Sequence, residues 1–358
     1  MTTATALAAE TFANLPGWAG DDHAAALAAF RRSGPQVRRI APASPLATGC
    51  AHAETLAAAP ADAAAARAFF EAHFTPHRVV HDGADGLLTG YYEPRLAGSR
   101  VPTAEFRIPV YRRPPDLVNL VAESARGAAG AGLTHARRTA SRPLPYATRA
   151  EIEAGALAGQ GLELCFFADP VDVYFMQVQG SGLVRLPDGG EIRLAYDGKN
   201  GHPYTSVGRH LIEQGIMSAE AMSLAALAAW LRAEPERGRR AMQVNRSYVF
   251  FRELSGEAAR SALGVEEIPL TPGRSLAVDA GRHPIGTPVY VSAPGLAHAG
   301  GAGGSHRLMI AQDVGSAITG PERGDIYFGS GDAAGRLAGI TRHRGTFHVL
   351  VPREREAA

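Results

Sequence analysis

The segment AQDVGSAITGPERGDIYFG, residues 311–329, holds the densest group of residues suited to chemistry in this chain. Two carboxylates, Asp313 and Asp325, bracket a glycine-rich turn that follows an apolar run at 307–312. A glycine-walled loop at a strand end can hold an acid in a partly desolvated cleft, which raises its pKa toward the range that acid catalysis needs. Alternatively, each Asp only accepts backbone N–H bonds that fix the turn. The spacing alone favours this second interpretation.

A similar strand end, VDAG at 278–281, raises the question of an aspartic protease. In such an enzyme, Asp279 and Asp313 would share one proton. The protease pattern has Thr or Ser after each Asp, whereas Ala280 and Val314 have no hydroxyl group. The chain between the two Asp residues is also too short to build two lobes, so this class is rejected.

Outward from this segment, short apolar or alternating runs bounded by turn residues predict a β-rich chain. Strands are expected at 87–92, 106–111, 171–179, 183–186, 191–196, 247–251, 275–278, 288–292, 307–312 and 347–351. Helices are expected at 21–32, 60–73, 205–214 and 218–232. Thr148 and Glu151 form a capping box that opens a further short helix. A hairpin turn is predicted at 187–190 and a surface loop at 299–305.

The composition narrows the class of protein. A chain of 358 residues exceeds what one core usually serves, so we expect two domains or one domain with a large insertion. Lys and Arg total 36 against 35 Asp and Glu, a balance that argues against a nucleic-acid partner. Apolar runs fall short of the roughly 20 residues of a membrane span. The two cysteines, Cys50 and Cys165, form neither a disulfide framework nor a zinc motif, and whether they pair is left open.

Motifs for cofactors and for acyl-enzyme chemistry are missing from the sequence. It contains no P-loop, no H-E-x-x-H and no G-x-S-x-G pattern. We therefore expect neither a metal ion nor a cofactor.

A second polar cluster spans QVQGSG at 177–182 and YDGKNGHPYTS at 196–206. Neutral donors and acceptors mixed with aromatic rings suit the hydroxyl and acetamido groups of sugars, although an ordinary polar hairpin would also show them. The cluster contains Lys199, the one Lys among the 36 cations. Its presence is either a matter of chance in an Arg-rich composition, or it reflects a site into which the wide guanidinium of Arg does not fit.

Five motifs, taken in order, resemble the membrane-bound lytic murein transglycosylase A family. They are TGYYEP at 89–94, QVQGSG at 177–182, YDGKNGHP at 196–203, PIGTP at 284–288, and QDVGSAITG at 312–320 followed by DIY at 325–327. The C-terminal part is similar to the three-aspartate 3D domain, with Asp279, Asp313 and Asp325 in the three positions. The resemblance runs from about residue 85 to residue 350.

The resemblance implies a mainly β fold with flanking helices, in which a double-psi β-barrel is interrupted by an inserted second β-domain. We expect a flexible N-terminus at 1–20, a barrel domain formed by 21–92 and 245–358, and an insertion at 93–244 that ends in helices. The family holds its glycan in a groove between the two domains.

The resemblance also implies cleavage of the β-1,4 bond between N-acetylmuramic acid and N-acetylglucosamine in peptidoglycan, leaving a 1,6-anhydromuramoyl end. Asp325 would be the single acid and base, Asp313 would hold the loop or tune Asp325, and Asp279 would be structural. Family positions that line the groove are Thr89, Tyr92, Gln179 and Ser181. Lys199 and Asn200 are added as substrate contacts from the polar cluster itself.

Two other functions stay open at this stage. One is a glycan-binding double-psi domain without catalysis. The other is a hydrolase on the same barrel, which needs a second carboxylate, for which Glu322 and Asp332 are the candidates.

The substrate places the protein in the periplasm or at the outer membrane, with glycan strands and possible cell-wall synthases as partners. The sequence shows no signal peptide, and Cys50 lies too far in to be a lipidation site.

Overall fold

The computed structural model describes residues 5–56, 62–82, 86–121, 133–300 and 303–353. The chain divides into two compact units. The first unit comprises Met1–Tyr91, Leu263–Gly329 and Thr341–Ala358, and the second comprises Tyr92–Ala262 and Ser330–Ile340. The second unit is therefore larger than the insertion expected at 93–244, because it also takes in 245–262 and a return segment at Ser330–Ile340.

The strands of the described residues follow in chain order. They are β1 Thr5–Ala9, β2 Phe74–His81, β3 Leu87–Glu93, β4 Arg95–Ala97, β5 Ile108–Tyr111, β6 Leu117–Asn119, β7 His135–Arg137, β8 Glu163–Phe167, β9 Ser181–Arg185, β10 Glu191–Lys199, β11 Val249–Leu254, β12 Ser275–Val278, β13 Pro288–Ala293, β14 Ser305–Val314, β15 Arg323–Ser330, β16 Arg342–Arg344 and β17 Thr346–Pro352.

The helices of the described residues alternate with these strands along the sequence. They are α1 His23–Ile40, α2 Pro45–Thr55, α3 Ala63–His73, α4 Arg149–Glu151, α5 Pro170–Gln179, α6 Val207–Glu213, α7 Leu224–Ala233, α8 Pro235–Gln243, α9 Ala297–Gly300 and α10 Asp332–Ile340. None of the helices in the described part of the chain has both the length and the apolar character that a membrane crossing needs.

The first unit is built on one mixed sheet. Its described strands lie in the order β1-β2-β17-β13-β14-β12-β15-β3-β16. Strand β12 runs parallel to β14 on one side and antiparallel to β15 on the other. Ala277 on β12 therefore lies opposite Asp313 on β14 and opposite Asp325 on β15. The sheet register brings two distant carboxylates into one row.

Both faces of this sheet are covered, which explains the continuous apolar runs of its central strands. On one face, Tyr290 and Ile310 join the aromatic side chains of Phe30 and Phe70 from α1 and α3. The other face buries a second cluster, which includes Val289 and other alternate residues of the same strands. This two-sided burial makes the central strands a rigid base for polar residues at their ends.

The second unit carries smaller sheets. A four-stranded sheet has the order β11-β10-β9-β4, and β5 pairs with β8 and β6 with β7 in the described residues. The predicted hairpin at 187–190 is confirmed, because it joins the antiparallel strands β9 and β10. The predicted capping box is confirmed as well: the Thr148 hydroxyl accepts the Glu151 N–H, and the Glu151 carboxylate accepts the Thr148 N–H at 2.7 Å.

Residues 171–179, predicted as a strand, form helix α5 instead. The Asp169 carboxylate caps its start by accepting the Val171 N–H at 2.8 Å, and Pro170 takes the first helical position, where no N–H is needed. Gly180 ends the helix in the left-handed conformation, with φ 81°. The apolar residues of 171–179 fit both the alternation of a strand and the repeat of a helix, so the signals at the two ends decide the conformation.

The flexible terminus expected at 1–20 is wrong for the residues that the structure describes there. Strand β1 pairs antiparallel with β2, and Trp18 is only 3% exposed in the aromatic core of the first unit. The Trp18 indole N–H donates to Glu71 at 2.8 Å. Residues 1–4 lie outside the described residues, as do 60–61 of the predicted helix at 60–73 and 301–302 of the predicted loop at 299–305.

Several boundaries also differ from the expected ones. Helix α1 continues to Ile40 through Pro35, and α7 begins only at Leu224. The elements not predicted from the sequence are strands β1, β2, β4, β6, β7, β8, β15 and β16 and helices α2, α8, α9 and α10. Cys50 and Cys165 are both buried and unpaired, in the cores of different units.

Candidate active site

The row formed by β14, β12 and β15 holds the two acids singled out in the sequence. Because Asp313 and Asp325 both lie opposite Ala277, they project from the same face of the sheet. Two strand spacings separate their backbones by about 10 Å. Burial is the main cause of the raised pKa of Asp313, and the nearby charge of Asp325 adds to the rise. The side chains are therefore close enough for the charge of Asp325 to act on Asp313.

Asp325 sits in a dry but polar environment. Its Oδ1 accepts a hydrogen bond from the Thr89 hydroxyl at 2.5 Å. The hydroxyl oxygen in turn accepts a hydrogen bond from Arg323 Nη2 at 2.9 Å. Burial raises the pKa of Asp325, and the Thr89 bond and the Arg323 charge oppose that rise without cancelling it. A carboxyl in this environment keeps its proton to higher pH than an exposed one.

Asp313 is held more tightly by backbone groups. Its Oδ1 accepts the N–H of Val314 at 2.9 Å and the N–H of Val265 at 3.1 Å. Burial nevertheless raises the pKa of Asp313 to about 7, with a further contribution from Asp325. Near neutral pH this carboxyl is protonated in a substantial fraction of molecules.

Two tyrosines complete the surroundings of the acids. Tyr91 follows Thr89 by two residues on β3, and its ring lies 5.2 Å from that of Tyr327, two residues after Asp325 on β15. Tyr91 is 9% exposed, and its pKa is raised by burial and by the nearby Asp313 and Asp325. Its phenol therefore stays neutral and helps to exclude water from the two carboxyls.

Asp279 supports the loop between the two acids. One of its carboxylate oxygens accepts the Gly281 N–H at 3.1 Å, and the other accepts the Gly320 N–H at 2.9 Å. His283 donates from Nε2 to the carbonyl of Pro321 at 2.6 Å, and burial lowers the pKa of this imidazole. Both contacts fix the chain that leads into β15.

Glu322, a candidate second carboxylate for a hydrolase, is engaged elsewhere. One oxygen accepts the Phe347 N–H at 2.8 Å, and the other pairs with His81 Nε2 at 3.0 Å. The second candidate, Asp332, is exposed at the start of α10 in the second unit. Both carboxylate oxygens of Glu322 are therefore held by other groups.

Three of the residues expected to line a glycan groove lie in the second unit. Gln179, at the end of α5, accepts the Tyr92 N–H with its side-chain oxygen at 3.0 Å. Ser181 begins β9, where it is 8% exposed. Burial raises the pKa of Tyr92, whose ring packs against Gly335 of α10. The structure thus brings Tyr92 and Gln179 together, while Thr89 belongs with the acids of the first unit.

Asn200 is fully buried and its amide group is used within the protein. Nδ2 donates to the carbonyls of Ala147 and Arg246, each at 2.8 Å, and Oδ1 accepts the Tyr248 N–H at 2.9 Å. This arrangement corrects the expectation of a substrate contact, because the side chain joins three backbone segments instead. Lys199, the last residue of β10, is 7% exposed.

Arg323, Tyr91 and Val265 were not singled out in the sequence. The first two were detectable, because Arg323, Asp325 and Tyr327 share one face of a strand at spacing two, as do Thr89 and Tyr91. The Val265 N–H gave no signal, because a backbone group from a distant loop leaves no mark in side-chain identity. Among the described residues, no group of three or more His, Cys, Asp or Glu side chains is arranged to hold a metal ion.

Comparison with known proteins shows which family the chain belongs to. Residues 87–252 match the model of the MltA specific insert domain, and residues 274–351 match that of the 3D domain. Membrane-bound lytic murein transglycosylase A of Escherichia coli K12 is 35% identical over 277 residues, which cover 75% of this chain and 67% of that protein. The chain belongs to the membrane-bound lytic murein transglycosylase A family.

Other members of the family extend the comparison. The Vibrio cholerae transglycosylase A is 36% identical over 263 residues, so the chain spans 63% of the length of that protein and the match covers 72% of this one. The crystal structure of the Agrobacterium tumefaciens membrane-bound lytic murein transglycosylase has a TM-score of 0.86 at 32% identity, covering 97% of this chain and 98% of that one. E. coli MltA with bound chitohexaose gives a TM-score of 0.70 at 30% identity, covering 97% and 95%.

Proposed function

We propose that this protein is a lytic transglycosylase of peptidoglycan, with Asp325 as its single acid and base. It would cleave the β-1,4 bond between N-acetylmuramic acid and N-acetylglucosamine and leave a 1,6-anhydromuramoyl end. One observation carries the proposal: in a member of this family, Asp325 is a desolvated carboxyl with a raised pKa and a fixed hydrogen bond to Thr89. Such a group keeps its proton to higher pH than an exposed carboxyl does, as an acid catalyst requires.

The reaction needs one carboxyl because the nucleophile belongs to the sugar. Asp325 gives its proton to the leaving glycosidic oxygen as the bond from that oxygen to C1 of N-acetylmuramic acid breaks. The C6 hydroxyl of the same sugar then bonds to C1, and its proton passes to the carboxylate of Asp325, which restores the acid. Hydrolases instead need a second carboxylate to activate water or to attack the sugar. Attack from within the substrate also gains the advantage of a tethered nucleophile.

The other two aspartates would support this acid. A partly protonated Asp313 adds less negative charge beside Asp325 than a full carboxylate would, so Asp325 keeps a usable pKa. Asp279 fixes the loop that precedes β15 through the Gly320 N–H. We assign Asp313 a tuning role and Asp279 a structural one.

For substrate binding, we propose Tyr92, Gln179 and Ser181 as contacts and Thr89 as a residue that positions Asp325. Lys199 would pair with a lactyl or peptide carboxylate of the substrate. The Lys199→Arg variant tests this role, since the wide guanidinium should slow cleavage of sacculi. A variant that cleaves as fast as wild type would make the lone lysine a coincidence of composition.

The first unit would be the double-psi β-barrel that the resemblance implies. The parallel pairing of β12 with β14, inside an otherwise mostly antiparallel set of strands, supports this finer description of the fold. The murein substrate supports a location in the periplasm or at the outer membrane, where cell-wall synthases are the partners we expect.

Digestion of purified murein sacculi tests the proposal directly. Wild-type protein should release fragments with anhydro ends, identified by mass spectrometry, and Asp325→Asn should release none. Asp188→Asn is the matched control, because it removes an exposed carboxylate in the turn at 187–190, where Asn can still accept the Gly190 N–H. Reducing ends would show a hydrolase, and binding to sacculi without soluble product would show a glycan-binding domain. Either result would refute the proposal.

A further inference from the structure

Arg323, Thr89 and Asp325 form a chain of hydrogen bonds whose direction is fixed by chemistry. A guanidinium can only donate, so the contact of 2.9 Å between Arg323 Nη2 and Thr89 Oγ1 makes the hydroxyl oxygen an acceptor. The hydroxyl has one proton, which must then point along the second contact, 2.5 Å to Asp325 Oδ1. Without Arg323, the Thr89 hydroxyl would be able to rotate and accept a hydrogen bond from a protonated Asp325.

This direction decides where the acid carries its proton. Oδ1 of Asp325 is held as an acceptor, so the proton of the neutral carboxyl must sit on Oδ2. We propose that Arg323 is a positioning residue for Asp325: by orienting the Thr89 hydroxyl, it keeps the transferable proton on Oδ2. This inference deepens the proposed function and rests on it.

The guanidinium is itself anchored to two strands. Arg323 Nη1 donates to the carbonyl of Gly324 at 2.6 Å and approaches that of Leu87 at 3.4 Å. Burial lowers the pKa of Arg323, which nonetheless remains a cation because an arginine pKa starts so high. Lysine has no planar fork, so it would supply the charge without holding these carbonyls and the hydroxyl together.

Other charged or titratable groups near Asp325 come from each neighbouring strand. Strand β14 supplies Asp313, β3 supplies Tyr91, and β15 itself supplies Tyr327; β12 supplies the uncharged Ala277. Strand β16 supplies Arg342, which lies opposite Thr89 in the sheet and is exposed. Arg342 is therefore a matched control: it is a second cation on the same sheet, with no hydrogen bond to the hydroxyl among those the structure describes.

The first experiment titrates Asp325 directly by carbon-13 NMR of labelled aspartate carboxyls, with the signal assigned by its loss in Asp325→Asn. Arg323→Met should raise the pKa of Asp325 by about one unit, because both the cation and the directed hydrogen bond favour the carboxylate. Arg342→Met should shift it by a few tenths of a unit at most. Equal shifts in the two variants would overturn the inference, because a general charge effect would then suffice.

The second experiment tests whether Arg323 acts through Thr89. Thr89→Val should raise the pKa of Asp325, and adding Arg323→Met to that variant should raise it much less than Arg323→Met does alone. Fully additive shifts would overturn the inference. Arg323→Lys is the second substitution if Arg323→Met does not fold: it should keep the pKa within about half a unit of wild type while lowering the maximal rate about tenfold, because orientation is lost. An unchanged maximal rate in Arg323→Lys would also overturn the inference.

The pH profile of anhydro-end formation links these titrations to activity. In Arg323→Met, the fall in rate at high pH should move upward with the pKa of Asp325, and the plateau should drop. If wild-type protein forms no anhydro ends, the proposed function fails, and the NMR titration still decides whether Arg323 controls Asp325. If wild type is active and the profile of Arg323→Met is unchanged, the inference alone fails.

Discussion

The buried carboxyl of Asp313 makes a strong prediction about stability. In Asp313→Asn the side-chain oxygen can still accept the Val265 and Val314 N–H groups, so the substitution removes the ionisable group and leaves these contacts in place. Because burial raises the pKa of Asp313 from 3.8 to about 7, the folded protein binds the carboxyl proton more tightly than the unfolded chain does. The wild-type free energy of unfolding must then fall as pH rises from about 4 to about 7.

The size of this effect follows from the same shift. Each pKa unit corresponds to about 1.4 kcal/mol, so the difference between 3.8 and about 7 sets an upper limit of about 4 kcal/mol. Relaxation around the charged form reduces this, and we expect Asp313→Asn to be more stable than wild type by about 2 kcal/mol at pH 8. At pH 4, where Asp313 is protonated in the folded protein, the two proteins should differ little.

Urea unfolding of both proteins, followed at several pH values between 4 and 8, measures this difference. Asp188→Asn is the control, because Asp188 is exposed in the turn at 187–190, where Asn can also accept the Gly190 N–H. A difference between Asp313→Asn and wild type that does not grow with pH would refute the argument, as would a variant less stable than wild type at pH 8.

Three further substitutions test the scaffold. Glu93→Gln should lower the free energy of unfolding in urea by about 3–5 kcal/mol, because it leaves the buried Arg193 guanidinium, 2.9 Å away, without its partner charge; a loss below about 1 kcal/mol would contradict this. Gly324→Ala should cost about 1–3 kcal/mol by calorimetry, since a Cβ there would lie 2.7 Å from the Phe347 ring, and an unchanged melting temperature would be the contrary result. Thr148→Ala should cost about 1 kcal/mol through loss of the cap, whereas Thr148→Ser should be close to neutral; equal losses in the two variants would disprove the capping role.

Much of the strand pattern could be predicted from the sequence, because runs such as Ser275–Val278 and Pro288–Ala293 are mostly apolar and bounded by turn residues. Helix α5 could not be assigned from periodicity, since its apolar residues also alternate. Its capping signals, Asp169 and Gly180, are present in the sequence and decide between helix and strand where the apolar pattern fits both.

The candidate site was predictable in its residues but not in its arrangement. The two acids were found from their motif, yet only the pairing of β12 with both β14 and β15 shows that Ala277 lies opposite both. Such pairing joins segments far apart in the chain, which spacing along the sequence does not reveal. Asn200 shows the opposite problem: a polar residue among polar residues suggested a ligand, and its amide instead holds backbone groups.

Digestion of sacculi in water enriched in oxygen-18 tests the central claim most directly. If the C6 hydroxyl of the sugar attacks C1 and Asp325 transfers both protons, the new ends are anhydro sugars that contain no oxygen from the solvent. Wild-type protein should therefore release unlabelled ends, and Asp325→Asn should release none. Ends that carry one oxygen-18 atom would show that water is the nucleophile, and they would contradict the assignment of Asp325 as the single acid and base of a lytic transglycosylase.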